Sequence, residues 1–197
     1  MVNTPTAPEP QRLSRLEWID AAVHALGERG VDALRVEPLA KSLGVTKGSF
    51  YWHFADRREL HRAVLQRWEE LATGRIIDQV ESIRSDDPAA KLRTLLDLTF
   101  RGDPNGDAVE SAVRAWAQQD PEAATTTGKV DRRRLVYVAT LLRQAGLPPK
   151  LARRRARLLY RTLIGEFTWR SATGPSSTKA ELDDLAALLL TPEHTTS

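Results

Sequence analysis

The 197-residue chain contains no cysteine and no long apolar run, and each absence limits what it can be. Without cysteine there is neither a disulfide framework nor a thiolate metal site, so packing alone must hold the fold together. No stretch of 18 or more apolar residues occurs, and the first residues, MVNTPTAPEPQ, lack the basic start and apolar core of a signal peptide. We therefore expect a cytoplasmic protein that does not cross a membrane.

The chain also has few of the residue patterns that carry catalysis. Its four histidines show no HExxH or paired ExxH spacing, so a metal site is not expected. There is no glycine-rich phosphate loop, no nucleophile elbow and no Ser/His/Asp set that helices would bring together. The sequence thus predicts no cofactor and no enzyme.

Helical periodicity is the main positive signal along the chain. Apolar residues recur at helical spacing between Gly- and Pro-rich breaks, and no segment alternates long enough to form a strand. We predict an all-α fold of about nine helices. The expected parts are a disordered arm at 1–11, a first helical domain at 12–60, a second helical domain at 61–190 and a tail at 191–197.

The segment LAKSLGVTKGSFYWHFADRREL, residues 39–60, has the pattern of two short helices, a turn and the start of a third. Gly44 stands where a helix ends in a left-handed residue, and Thr46 is positioned to cap the next helix with its side chain. Phe50 and Phe54 are four residues apart and should point inward together. Asp56 then opens a long helix, expected to run to about residue 86.

The outward face of the second short helix carries basic and aromatic side chains, which a DNA groove would cover. Lys47 can donate to guanine or phosphate, the Ser49 and Tyr51 hydroxyls suit phosphates or base edges, and Arg57 at a helix N-terminus suits phosphate. The candidate DNA-binding residues are Arg35, Thr46, Lys47, Gly48, Ser49, Tyr51, Trp52, His53 and Arg57.

These motifs resemble the DNA-binding domain of the tetracycline-repressor (TetR) family. The resemblance covers residues 16–60 and rests on the turn Leu43-Gly44-Val45, the run GSFYWHF at 48–54, and Arg57 followed by Glu59 and Leu60. It implies a homodimeric, all-helical regulator, usually a repressor, with a helix-turn-helix DNA-binding domain at 12–60 and a helical ligand-binding and dimerisation domain at 61–190. Such a repressor leaves its inverted-repeat operator when a small molecule binds the C-terminal domain. One position departs from the family pattern, because Arg35-Val36-Glu37-Pro38 stands where Thr or Ser and a basic residue are common.

Two further sets of residues are predicted in the C-terminal region. Inward positions of the middle helices favour an apolar or aromatic effector, and the candidate ligand-binding residues are Trp68, Leu95, Thr99, Phe100, Val113, Trp116, Tyr137 and Leu141. The last two helices carry more apolar surface than a hairpin could bury, which predicts a four-helix dimer interface. Its candidates are Leu158, Leu159, Leu163, Gly165, Phe167, Leu182, Leu185, Leu188 and Leu189.

Charge leaves alternatives open. Residues 1–60 hold as many acidic as basic side chains, so the DNA-binding prediction rests on motif, whereas the basic excess lies at 129–161. The stripe Arg153, Arg154, Arg157 and Arg161 either faces the acidic patch of the last helix or, with 132–134, attracts an acidic ligand or substrate. Two alternatives to a ligand-released repressor remain: a constitutive DNA-binding regulator with a filled interior and no ligand, and a helical-bundle enzyme that acts on an acidic substrate at the arginine stripe.

Overall fold

The computed structural model describes residues 13–172 and 174–192, and over these ranges helices are connected by turns and loops, with no strand. Ten α-helical segments follow one another: α1 (Arg15–Arg29), α2 (Val36–Ser42), α3 (Lys47–Tyr51), α4 (Arg57–Glu69), α5 (Arg75–Glu81), α6 (Pro88–Phe100), α7 (Pro104–Ala117), α8 (Pro121–Gln144), α9 (Pro149–Ala172) and α10 (Lys179–Leu190). Since α4 and α5 form one continuous helix, the all-α prediction of about nine helices is confirmed. The predicted arm and most of the predicted tail lie outside the described residues.

The N-terminal helices begin and end at residues that the sequence marks. Ser14 and Glu17 form a reciprocal capping box at the start of α1. Gly44 ends the turn after α2 with φ of 67°, a left-handed conformation that glycine adopts without strain. The predicted side-chain cap of Thr46 is wrong, because its hydroxyl makes no capping hydrogen bond. Its backbone carbonyl instead accepts from the Ser49 amide at 3.0 Å.

The long helix joins the two halves of the chain. The Asp56 carboxylate accepts from the Glu59 amide at 2.7 Å and starts α4, which continues through a π-helical turn, Glu70–Gly74, into α5. The helix ends at Glu81 instead of near residue 86, because Ser82 closes the last turn and Asp87 caps α6. At 1.5 Å per residue it spans about 37 Å.

Two hydrophobic cores hold these helices together. The first core contains residues of α1 to α4 together with Val109, Val113 and Trp116 of α7, so the helix-turn-helix part packs directly against α7. The second packs α6, α8, α9 and α10. Within residues 13–172 and 174–192, no helix is both long and apolar enough to span a lipid bilayer.

Candidate functional site

The short helix α3 presents aromatic side chains to solvent because two phenylalanines anchor its other face. Phe50 and Phe54 are buried and stack with ring centroids 5.1 Å apart, and Trp18 of α1 meets Phe50 edge-on at 5.5 Å. With those rings inward, Tyr51 is 55% exposed and Trp52 88% exposed. Large exposed aromatics side by side indicate a surface that another molecule covers.

Basic groups flank this aromatic surface. Lys47 begins α3, Arg57 begins α4, and Arg35 precedes α2, and all three are exposed. The Arg35 Nε donates to the Asp32 carbonyl at 3.0 Å, and the Arg57 Nε donates to His61 Nε2 at 3.1 Å. These hydrogen bonds leave other guanidinium donors of both arginines directed to solvent or to a bound phosphate.

His61 lies behind Arg57, at the junction with α7. Its ring meets the Trp116 ring edge-on at 4.9 Å. Burial, and then the positive charge of Arg57, lower the pKa of His61 below its usual value. A neutral imidazole is the form that can accept the hydrogen bond from Arg57.

All nine candidate DNA-binding residues lie at the helix-turn-helix end of the molecule. Ser49 and His53 are half-buried, and the other seven are exposed. The predicted set did not include Glu37, whose carboxylate lies 2.5 Å from the Lys47 ammonium. The hydrogen bond with Lys47 lowers the pKa of Glu37, and the same bond raises the pKa of Lys47.

We call the helix-turn-helix part, α1 to α3, the head. Next to the head lies a cavity of about 590 Å³, a volume within the range of binding sites for small molecules. The long helix contributes one wall through Trp68, Leu71 to Thr73, Ile76 and Ile77, and α1 contributes Val23 and His24. The remaining walls come from α6, α7, α8 and α9, and most of the lining surface is hydrocarbon. The cavity therefore touches both the head and the π-helical turn of the long helix.

Five of the eight candidate ligand-binding residues line this cavity: Trp68, Leu95, Thr99, Phe100 and Tyr137. The other three do not reach it. Val113 and Trp116 pack in the first core, and Leu141 packs in the second. All eight positions face inward, but helical periodicity alone does not separate a wall that faces a cavity from one that faces another helix.

A buried ionic network that the sequence did not reveal forms one end of the cavity. Glu110 is almost fully buried, and its two carboxylate oxygens each accept from Arg134 at 3.0 Å. Arg114 donates to the same carboxylate at 2.9 Å, and the Trp68 indole donates to it at 3.1 Å. The network therefore joins α4, α7 and α8 at one carboxylate.

The pKa of Glu110 reflects two opposing effects. Burial raises this pKa most strongly, but the charges and hydrogen bonds of Arg134 and Arg114 together outweigh burial, so the net pKa lies below the usual value. Tyr160 accepts from both arginines and donates to Asp131 at 2.5 Å. Burial is the main reason that the pKa of Tyr160 is raised to about 12.

Arg134 also binds the π-helical turn. Its Nε donates to the Thr73 hydroxyl at 2.8 Å and its Nη2 to the Ala72 carbonyl at 3.1 Å. A π-helical turn inside an α-helix is uncommon and is frequently found at functional sites. One guanidinium thus links the irregular turn of the long helix to the buried Glu110.

Asp107, one helical turn before Glu110 on α7, also lines the cavity and belongs to a second buried pair. The Arg170 Nε donates to Asp107 at 2.7 Å and its Nη2 donates at 2.6 Å, and both side chains are about 95% buried. A third pair lies in the lining itself, where Arg67 donates to Asp20 at 2.7 Å. The carboxylates of Asp20, Asp107 and Glu110 are therefore each neutralised by an arginine of the chain itself.

The candidate interface residues of α9 and α10 divide into three groups by burial. Leu159, Leu163, Leu182 and Leu189 are buried within the second core of the same chain, and Phe167 and Leu185 are half-buried. Leu158, Gly165 and Leu188 are exposed, with Leu158 at 54% and Leu188 at 70%. Of the arginine stripe, Arg153, Arg157 and Arg161 are also exposed, as are Glu181, Asp183 and Asp184 on α10.

The fold and the exposed basic and aromatic face of α3 define an all-helical helix-turn-helix protein with a second, cavity-containing region. Residues 19–64 match the family model described as bacterial regulatory proteins, tetR family. The N-terminal part of the chain is therefore a helix-turn-helix domain of the tetR family, as its motifs predicted.

Curated relatives match over part of the chain. The HTH-type transcriptional regulator TtgR of Pseudomonas putida is 34% identical over 92 residues, which is 47% of this chain and 43% of that protein. The regulator AcrR of Shigella flexneri is 31% identical over 85 residues, 42% of this chain and 38% of that protein. The chain thus aligns with less than half the length of these relatives. They are regulators of transcription and not enzymes.

Solved structures extend the likeness to the whole fold. A putative TetR-family regulator from Rhodococcus sp. has a TM-score of 0.74 at 19% identity, covering 90% of this chain and 98% of that one. A putative regulator from Saccharomonospora viridis, in complex with choline, has a TM-score of 0.71 at 18% identity, covering 89% and 92%. At these identities the likeness concerns the arrangement of helices.

Proposed function

We propose that the protein is a cytoplasmic, sequence-specific DNA-binding regulator of transcription, acting as a homodimeric repressor that a small molecule releases from its operator. The observation that carries the proposal is the exposed basic and aromatic face of α3, held outward by Phe50 and Phe54 within a tetR-family domain. A recognition helix of this kind enters the major groove, and a dimer reads two half-sites.

The cavity supports a small-molecule effector that is neutral and mainly apolar or aromatic. Its lining is mostly hydrocarbon, and of its four carboxylates those of Asp20, Asp107 and Glu110 already have arginine partners, while that of Asp103 caps α7. A charged ligand would lose its hydration in a site where three of the four carboxylates are already neutralised, which is costly in apolar surroundings. A neutral ligand avoids that cost.

The proposed route from effector to DNA passes through the long helix. A ligand in the cavity contacts Trp68 and the π-helical turn directly, and it also meets Val23 and His24 of α1. Shifting these elements moves both heads of a dimer and takes the two α3 helices out of register with successive major grooves. A coupling free energy of about 1–3 kcal/mol is typical of such effects.

Two observations support a homodimer formed through α9 and α10. Leu158 and Leu188 are large apolar side chains that the chain itself leaves exposed. The exposed arginines of α9 and the exposed carboxylates of α10 carry opposite charge, so two copies related by a two-fold axis can pair one helix with the other. The buried Leu159, Leu163, Leu182 and Leu189 then serve to position these helices.

The proposal is tested by gel-shift titration of a duplex that the full-length protein selects from a random library. Tight, salt-dependent binding of that duplex, lost in a Tyr51→Ala, Lys47→Ala double variant, is the expected result. A thermal-shift screen of neutral hydrophobic compounds then identifies ligands, and an active ligand should release the duplex. Ligand binding without release, or no ligand at all, would favour the constitutive regulator over the ligand-released repressor.

A further inference from the structure

A carboxylate stands on the surface that is proposed to meet DNA. Glu37 is the second residue of α2 and Lys47 is the first residue of α3, and the Glu37 carboxylate accepts from the Lys47 ammonium at 2.5 Å. Both side chains remain more than half exposed. The turn at Gly44 brings α2 and α3 together, so this pair bridges the two helices on their solvent side.

The pair is difficult to explain by stability or by affinity. Exposed ion pairs contribute little to folding. A carboxylate at this position also weakens the attraction of the head for phosphates, because it cancels the charge of the adjacent lysine. What the pair does provide is a hydrogen-bond donor and an acceptor side by side, held in fixed order at the entrance to the recognition helix.

That arrangement is complementary to one edge of a base pair. In the major groove a G·C pair presents the guanine O6 acceptor beside the cytosine N4 amino donor. We propose that Glu37 is a specificity-determining residue: Lys47 donates to guanine while Glu37 accepts from the amino group of the paired cytosine. The inference rests on the proposed function, since it assigns a base-reading role within the proposed DNA contact.

The carboxylate would act mainly by rejecting the pairs that present an acceptor in place of the cytosine amino group, which are A·T and C·G. Where the cytosine amino group is replaced by the thymine O4 acceptor, the Glu37 carboxylate faces another acceptor and loses its hydrogen bond. A lysine without the carboxylate binds guanine, adenine N7 or a phosphate with less discrimination, because it is a flexible point charge. Glu37 would therefore exchange general affinity for selectivity at one position of each half-site.

The test compares the full-length wild type with Glu37→Gln and with a control, Glu28→Gln. Glu28 is an exposed carboxylate on α1 that pairs with Arg29 and His24, so its removal changes the charge of the head equally. Each protein selects duplexes from a random library, and binding to the wild-type consensus and to random duplex is measured over a salt series.

For the wild type and Glu28→Gln we expect the same consensus, with a G·C pair at one position of each half-site. Glu37→Gln should lose preference for that pair by about 5- to 150-fold per half-site, the range for one good base contact. It should also bind random duplex more tightly, with a salt slope larger in magnitude by up to about 0.9 per half-site.

An unchanged consensus in Glu37→Gln, or a preference for A·T at the position that Glu37→Gln alters, would overturn the inference while the proposed function stands. Failure of the wild type to select any sequence would overturn both. If Glu37→Gln and the control have the same thermal unfolding midpoint, a change in base preference is not caused by unfolding of the variant.

Discussion

Replacing Arg134 with methionine should be one of the most destabilising single changes in this protein. Methionine keeps much of the aliphatic stem but removes the two hydrogen bonds to the buried Glu110 carboxylate and those to Thr73 and the Ala72 carbonyl. Breaking a buried ion pair by removing one partner typically costs about 3–5 kcal/mol. Because Arg114 still donates to Glu110, we expect a loss of about 3 kcal/mol, at the lower end of that range.

The matched control is the adjacent Arg133→Met. Arg133 makes an exposed bridge to Glu69 at 3.3 Å, and such bridges contribute about 0–1 kcal/mol. Urea unfolding followed by circular dichroism at neutral pH measures both variants. If Arg134→Met lost no more free energy of unfolding than Arg133→Met, the network would not stabilise the fold as we argue.

The pH dependence gives an independent check on the same residue. The net pKa of Glu110 in the folded wild type lies below its ordinary value of 4.5, so its contribution to stability is present above about pH 4.5 and is lost as pH falls through the folded pKa. In Arg134→Met, burial should dominate and the carboxyl should be protonated at higher pH. The difference in unfolding free energy between wild type and variant should therefore narrow as pH is lowered from about 7 through 4.5.

Three further predictions concern the helix packing, the dimer and the DNA contact. Gly27→Ala should lower the thermal unfolding midpoint, because a Cβ at Gly27 would lie 2.9 Å from Val109 Cγ2 and disturb the packing of α1 against α7. The control Gly106→Ala should not lower the midpoint, because no atom lies within 4 Å of a Cβ at that position. Leu188→Glu should give folded monomers with weakened operator binding, measured by light scattering and gel shift, whereas an unchanged dimer would remove α10 from the proposed interface. Lys47→Ala should weaken operator binding by about 1–3 kcal/mol more than random binding, but Arg57→Ala should weaken both alike, as fluorescence titrations can measure.

Most helix boundaries could be predicted from local signals. Capping residues such as Ser14 and Asp56, and breaks such as Gly44 and Asp87-Pro88, act within a few residues, and the structure begins or ends helices there. The end of the long helix was predicted incorrectly. The helix ends at Glu81, with Ser82 as its C-cap, and not at the Asp-Pro break that the sequence indicated. The π-helical turn carries no sequence signal that periodicity could detect.

The cavity was predictable only in part, because burial of charge is a tertiary property. Asp107, Glu110, Arg134 and Arg170 carry charge, so apolar periodicity does not count them as interior positions, yet the fold pairs them inside. Arg134 was instead considered for an acidic ligand, a role that its pairing with Glu110 already fills. The DNA-facing surface was easier, since the Phe50 and Phe54 spacing fixes which side of α3 is exposed.

The most direct test of the central claim is a hydroxyl-radical footprint of the full-length protein on its selected operator. The account predicts two equivalent regions of protected backbone related by a two-fold axis, each flanking one major groove, with centres about 34–36 Å apart or a multiple of that distance. It also predicts that both regions vanish together in the Tyr51→Ala, Lys47→Ala double variant. A single asymmetric footprint, or an intact footprint in the double variant, would contradict the assignment of α3 as the element that reads DNA.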